Sequence, residues 1–237
     1  MTTQDVREVR ELTATVDGWL FPHEGPLLYE LARRCTGRGV IVEIGSWKGK
    51  STIWLARGAR AGSGVHVYAI DPHTGYPEQP DSEIWTLPEF ERNLERASVG
   101  DHVTPIVATS REAAAEFTEP IELLFIDGAH DVGSVRHDLE AWTPKVVEGG
   151  VIALHDTGRN QAPLTVAAQT LYAGRGFRDV RFVDTISYAR TTTAPSIYDR
   201  IRGRVVLRVK LAAQTLAESE PPSAVRAIGR TVLRRFR

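Results

Sequence analysis

The chain has 237 residues, 42% hydrophobic and 25% charged, with a formal net charge of −1; this balance fits one sizeable core and excludes a disordered or fibrous protein. No run approaches the roughly 20 apolar residues of a membrane span, and the opening MTTQDVREVRELTATVDGWL lacks the basic-then-apolar order of a secretory leader, so a cytoplasmic protein is expected. The charge is uneven: from Ser196 onward ten Lys/Arg face three acids, which leaves the first 195 residues acidic and argues against nucleic acid as a partner there.

In chain order, FPHEGPLLYELARRC (21–35) reads as a helix opening after Pro22. Its lone Cys35, at helical spacing, reads as a buried thiol that excludes an internal disulfide. Apolar strand-like runs follow: GVIVEIG (39–45), VHVYAID (65–71), HVTPIVA (102–108), IELLFID (121–127) and GGVIALHD (149–156). The first, fourth and fifth are nearly continuous in Val, Ile and Leu, as strands covered on both faces require. Between the runs lie the amphipathic helices KSTIWLARGARA, LPEFERNLERAS, SREAAAEFT and DVGSVRHDLEAWTPKV. A helix over 163–174 then precedes two strands, DVRFVD and TISYART, placed to pair antiparallel and close one sheet edge. The pattern predicts an α/β fold with a doubly wound, mostly parallel seven-stranded sheet, an antiparallel edge strand and helical appendages at both ends.

One domain is expected over 1–195 (core about 20–190), followed by a basic amphipathic helical tail over 196–237. The tail places apolar residues at helical spacing among arginines. It is expected to cover the core or form a homodimer, with a helix lying on an anionic membrane surface as the alternative. Residues 74–88, TGYPEQPDSEIWTLP, form a long connection with Tyr76 and Trp85. It reads as a lid whose rings and acids suit a polyhydroxylated acceptor, or as a plain surface excursion.

The strand ends on one edge of such a sheet form the ligand crevice. Gly45 and Gly49 lie in the turn from the first strand to its helix, where missing side chains let backbone approach a ligand. Their spacing matches neither the dinucleotide fingerprint nor the phosphate loop, and the acid before the turn, Glu43, suits a cationic or amine-bearing ligand. Asp71 ends the second strand, where a carboxylate accepts ribose hydroxyls or caps the turn before Pro72. His73 reads as a residue of a surface turn.

Together these stretches resemble the class I S-adenosylmethionine-dependent methyltransferases, over about residues 20 to 190. VEIGSWKGKST is similar to their glycine-rich first motif, with Ser46 and Ser51 inside it, and Asp71 to their ribose-binding acid. The resemblance implies S-adenosylmethionine (SAM) as cofactor and places Thr109 and Ser110 at its adenine. LLFIDGAHDVGSVRHDLEAWTPKVVEGGVIALHDT resembles a bacterial branch with Asp-Gly-x-His, a helix bearing an acid and an aromatic, then Gly-Gly and a closing His-Asp. That branch includes metal-dependent small-molecule and sugar O-methyltransferases, among them actinobacterial enzymes that build polymethylated polysaccharides. The resemblance implies methyl transfer to a hydroxyl of a saccharide or glycosylated metabolite.

Asp127 and Asp156, at the ends of adjacent strands, are placed to share one Mg²⁺ or another divalent cation. An alcohol is protonated at neutral pH, so a cation that lowers its pKa and a nearby base are both useful. His130 and His155 are the candidate bases, His155 equally a metal ligand or orienting residue, and Asp127 an orienting acid. Two alternatives remain: a metal-independent methyltransferase with His130 as sole base on a phenolic acceptor, and a non-catalytic cofactor-binding module docked by its basic tail.

Overall fold

The computed structural model describes residues 3–75, 84–159 and 161–218. After α1 (Thr3–Thr13) and α2 (Glu24–Arg33), strands and helices alternate: β1 (Val40–Ile44), α3 (Lys50–Arg60), β2 (Val67–Ile70), α4 (Leu87–Arg96), β3 (Val103–Ile106), α5 (Ser110–Glu116), β4 (Ile121–Ile126), α6 (Val132–Trp142), β5 (Val146–Leu154) and α7 (Ala162–Gln169). The chain then forms β6 (Phe177–Val183), β7 (Ile186–Thr191) and α8 (Ile197–Glu218).

The seven strands lie in the order β3-β2-β1-β4-β5-β7-β6. β1 to β5 pair in parallel, and β7 runs antiparallel to both β5 and β6. The expected pair therefore does close one edge, with the reversed strand inside it and β6 outermost. The order reverses between β1 and β4, and there the C-terminal strand ends open the crevice expected of this topology.

Side-chain alternation splits the core in two. Ile41, Leu123, Phe125 and Ala153 face a layer of α1 to α4 that includes Leu28, Trp54 and Phe90. Val42, Leu124, Ile126 and Ile152 face a layer that includes Val135, Trp142 and Val166 on α6 and α7 and Val206 on α8. Every residue of β4 is buried, as its nearly continuous apolar run anticipated. Each large apolar side chain so enclosed contributes roughly 2 kcal/mol. Cys35 is buried, and burial pushes its thiol up to about 12, so it is a packing residue as expected.

Two expectations need adjustment. β5 starts at Val146, earlier than the Gly149 read from sequence, because the strand carries a positive φ of 75° at Gly149 and its pairing with β4 shifts register between Ile121 and Leu123. His73 is fully buried rather than in a surface turn: its Nδ1 lies 2.8 Å from Thr86 Oγ1, and its ring packs on Phe90. The tail is helical through Glu218, whereas residues 219–237 lie outside the described residues, as do 76–83 of the 74–88 connection, Tyr76 included.

Candidate active site

A cavity of about 870 Å³ opens over the C-terminal ends of β1, β2, β4 and β5. Of the residues singled out from sequence, Gly45, Ser46, Ser51, Asp71, Thr109, Ser110, Asp127, His130, His155 and Asp156 all line it. Glu43 and Gly49 do not.

At the β1–β2 end, polar groups are held mainly by backbone. The Asp71 carboxylate accepts the N–H groups of Ser46 (2.9 Å), Trp47 (2.8 Å) and His73 (2.7 Å), which ties the glycine turn to the end of β2. Asp71 thus shapes the turn while remaining on the cavity wall. Gly45, at φ 83°, makes room for protein: a Cβ there would sit 2.2 Å from the Asp127 carbonyl oxygen. Gly49 is the left-handed residue before α3, and a Cβ there would sit 3.1 Å from the Phe90 ring, so its glycine answers to packing and not to a ligand.

Glu43 points away from the cavity into the start of α3, where its Oε2 accepts the Thr52 hydroxyl at 2.5 Å. Burial, only partly offset by the Ser51 and Thr52 hydroxyls, pushes its carboxyl up to about 8. Direct contact between Glu43 and an amine is therefore not what this geometry offers. Ser46, beside it, is buried and lines the cavity, and its Oγ has no hydrogen-bond partner among the described residues. Buried hydroxyls are seldom left so, and a ligand in the cavity would satisfy it.

Along the cavity, Thr109 caps α5 in a reciprocal box with Glu112. Ser110 donates to Asp138 Oδ1 (2.5 Å) and accepts from the Trp142 indole (2.9 Å). Both hydroxyls are thus engaged within the protein, while both residues stay on the cavity wall. The acid and aromatic of α6 acquire a physical reason, since they fix Ser110. Ser134, His137 and Asp138 of α6 also face the cavity, and His137 was passed over in the sequence as an ordinary helix residue.

The β4–β5 end is ionic. Asp127 Oδ1 lies 2.8 Å from His155 Nδ1 and 3.8 Å from His130 Nε2; Asp156 Oδ2 lies 3.5 Å and 3.1 Å from the same two atoms. The other His155 nitrogen, Nε2, lies 3.1 Å from Glu24 Oε2. Glu24 is itself fully enclosed and accepts from Phe21 N (2.7 Å), Thr185 N (2.8 Å) and Thr185 Oγ1 (2.7 Å). Burial of His155 favours the neutral ring, but Asp127, Asp156 and Glu24 outweigh it and push the imidazole up to about 12.

His155 is therefore a fixed imidazolium that orients Asp127, which removes it as a base. Asp156 occupies a left-handed backbone (φ 51°) that turns its carboxylate toward the cluster. His130 is the accessible member, and its pKa is raised by hydrogen bonding to Asp127 against burial, with Asp156 adding to the rise. The helix after it is capped by Asp131, which accepts from Ser134 N at 2.9 Å, so His130 is released from that task.

One ligand atom each from Asp127, His130 and Asp156 lies within 4.8 Å of the others, a donor set that fits a divalent cation. Three carboxylates share one imidazolium here, so the cluster also retains negative charge to balance one. Glu24 carried no sequence signal, because its partners His155 and Thr185 are 131 and 161 residues away.

Residues 42–157 match the family described as a methyltransferase domain. The structure is similar to the O-methyltransferase from Bacillus cereus in complex with SAH, at 21% identity over 81% of this chain and 92% of that one, with a TM-score of 0.55. It is also similar to TomG from Streptomyces achromogenes, an O-methyltransferase involved in tomaymycin synthesis, in complex with SAM (18% identity, 81% and 91% covered, TM-score 0.56). A cofactor-bound protein from MTB shares 22% identity over 80% and 90% of the two chains, with a TM-score of 0.57. The architecture is thus the Rossmann-like fold of class I methyltransferases.

Proposed function

We propose that the protein is a SAM-dependent O-methyltransferase acting on the hydroxyl of a small molecule. The observation that carries this reading is one continuous cavity that joins the Gly45–Ser46 turn and Asp71 to the Asp127–His130–Asp156 cluster. The match of 42–157 to a methyltransferase domain and the cofactor-bound state of the similar folds support it.

SAM supplies an electrophilic methyl group on a sulfonium, displaced in line by an oxygen nucleophile. On the chain's side, Ser46 Oγ, the buried hydroxyl left without a partner, would hold the amino-acid end. Asp71 would accept one ribose hydroxyl with the lone pair its three amides leave free. The base lies between Thr109–Arg111 and the α6 side chains. Asp127, His130 and Asp156 would hold a divalent cation, which would supply Lewis-acid activation of an acceptor hydroxyl. An imidazole among the donors suits Mn²⁺ or a later transition metal at least as well as Mg²⁺, which favours an all-oxygen shell. His155 and Glu24 hold Asp127 in place, and the acidic cluster receives the hydroxyl proton.

A second reading rests on the accessibility of His130: without a cation, Asp127 orients the imidazole and Nε2 takes the proton from a more acidic, phenolic acceptor. Loss of turnover in chelator supports the first reading, and its retention the second. A saccharide or glycosylated acceptor remains the favoured substrate class, by family resemblance alone.

The test is calorimetric titration with SAH of wild type and Asp71→Ala. Saturable binding that the variant weakens supports the assignment, and absence of binding to the wild type contradicts it.

A further inference from the structure

We propose that the outward face of α8 docks on an anionic lipid bilayer surface. One face of this helix is fixed to the core: Val206 and Lys210 are fully buried, and Gly203 allows backbone contact, since a Cβ there would sit 2.2 Å from the Tyr172 carbonyl oxygen. The opposite face carries Ile197, Ile201 and Val205 at intervals of four, which align on a helix, together with Tyr198 and Leu216. These five are 72%, 56%, 45%, 71% and 41% exposed. Arg200, Arg204 and Arg208 are exposed beside them. Among the described side chains of α8 the one acid is Asp199, and it is occupied in accepting the Ser196 N–H (2.9 Å) and hydroxyl (2.6 Å).

The arginines decide the occupant. A second copy packed on the same face would set arginine against arginine around a two-fold axis. Residues 219–237 would meet the same repulsion, because they carry five arginines and one glutamate. An apolar stripe flanked by cations instead matches the interfacial helix, which buries its apolar residues at the acyl boundary and sets its cations among anionic headgroups. No helix among the described residues is long and apolar enough to cross a membrane, so α8 lies on the surface. Its C-terminal end reaches the cavity's edge of the molecule, where Arg159, three residues beyond Asp156, donates to Thr215 Oγ1 at 3.1 Å. Docking therefore brings the β5 rim of the cavity to the bilayer.

The test sediments the full-length protein with vesicles of phosphatidylcholine alone and of phosphatidylcholine mixed with phosphatidylglycerol. The variants are Ile201→Asp/Val205→Asp and Arg204→Glu/Arg208→Glu, both confined to exposed positions, with circular dichroism and melting confirming that they fold. The expected result is binding to the mixed vesicles only, weakened by salt and at least about tenfold weaker in each double variant. Three results would overturn the proposal: no binding to the mixed vesicles, equal binding by wild type and both variants, or a dimer in light scattering that Ile201→Asp/Val205→Asp dissociates.

Discussion

Glu24 and Glu43 are both completely buried glutamates near one cavity, yet they hold opposite charge states. Burial pushes each carboxyl upward. At Glu43 it prevails, because the opposing donors are hydroxyls, and the pKa reaches about 8. At Glu24 it is overcome by the His155 imidazolium, the Thr185 hydroxyl and the Phe21 amide, and the pKa falls below the ordinary range. The two ends of the site differ accordingly. The β4–β5 end is a preset array of ions around a space for a cation, whereas the β1–β2 end is a largely neutral wall with an unfilled hydroxyl at Ser46.

Four substitutions sharpen or break this contrast. The largest effect is expected at the ionic end: Asp127→Asn should slow methyl transfer about a thousandfold once an acceptor is in hand, while SAH affinity moves by less than about threefold. Comparable losses in both would show that the two ends are not separable.

Glu24→Ala removes a buried partner from His155⁺ and leaves the Phe21 and Thr185 donors unsatisfied, at a cost of about 4 kcal/mol in denaturant unfolding. A loss no greater than that of a surface change would mean His155 is not charged.

Gly45→Ala sets a Cβ against the Asp127 carbonyl in a left-handed backbone, and about 3 kcal/mol is expected from clash and strain together. A stability loss with no ligand present confirms that this glycine serves the junction of β1 and β4.

The effect that depends on pH is at Glu43. Its folded pKa is raised, so the stability it contributes is complete below the ordinary value of 4.5 and is lost as pH rises toward about 8. Glu43→Gln does not titrate, so its stability relative to wild type should improve by about 4 kcal/mol between about pH 5 and about pH 8.5. A difference independent of pH would mean that Glu43 is ionised throughout.

The parallel, doubly wound sheet was legible because β1 and β4 are nearly continuous apolar runs and the helices between strands keep their period. The start of β5 was hidden, since Glu148 and Gly149 read as a turn where the strand carries a bulge. Asp71, Asp127 and Asp156 were legible because strand ends define the crevice without further detail. The direction of the Glu43 side chain was not, nor was the commitment of Ser110 to Asp138 and Trp142, because both depend on which helix lies opposite. Glu24 and the fate of His155 depend on contacts more than a hundred residues apart in sequence, which no local pattern encodes.

The central claim is that the cation and the cofactor occupy different ends of one cavity. Electron paramagnetic resonance titration of Mn²⁺ into wild type and Asp127→Asn, each saturated with SAH as checked by calorimetry, tests it most directly. The account predicts one bound Mn²⁺ in the wild type and its loss in the variant, with SAH still bound in both. Mn²⁺ binding that survives the substitution, or no Mn²⁺ binding by the SAH-saturated wild type, would contradict it.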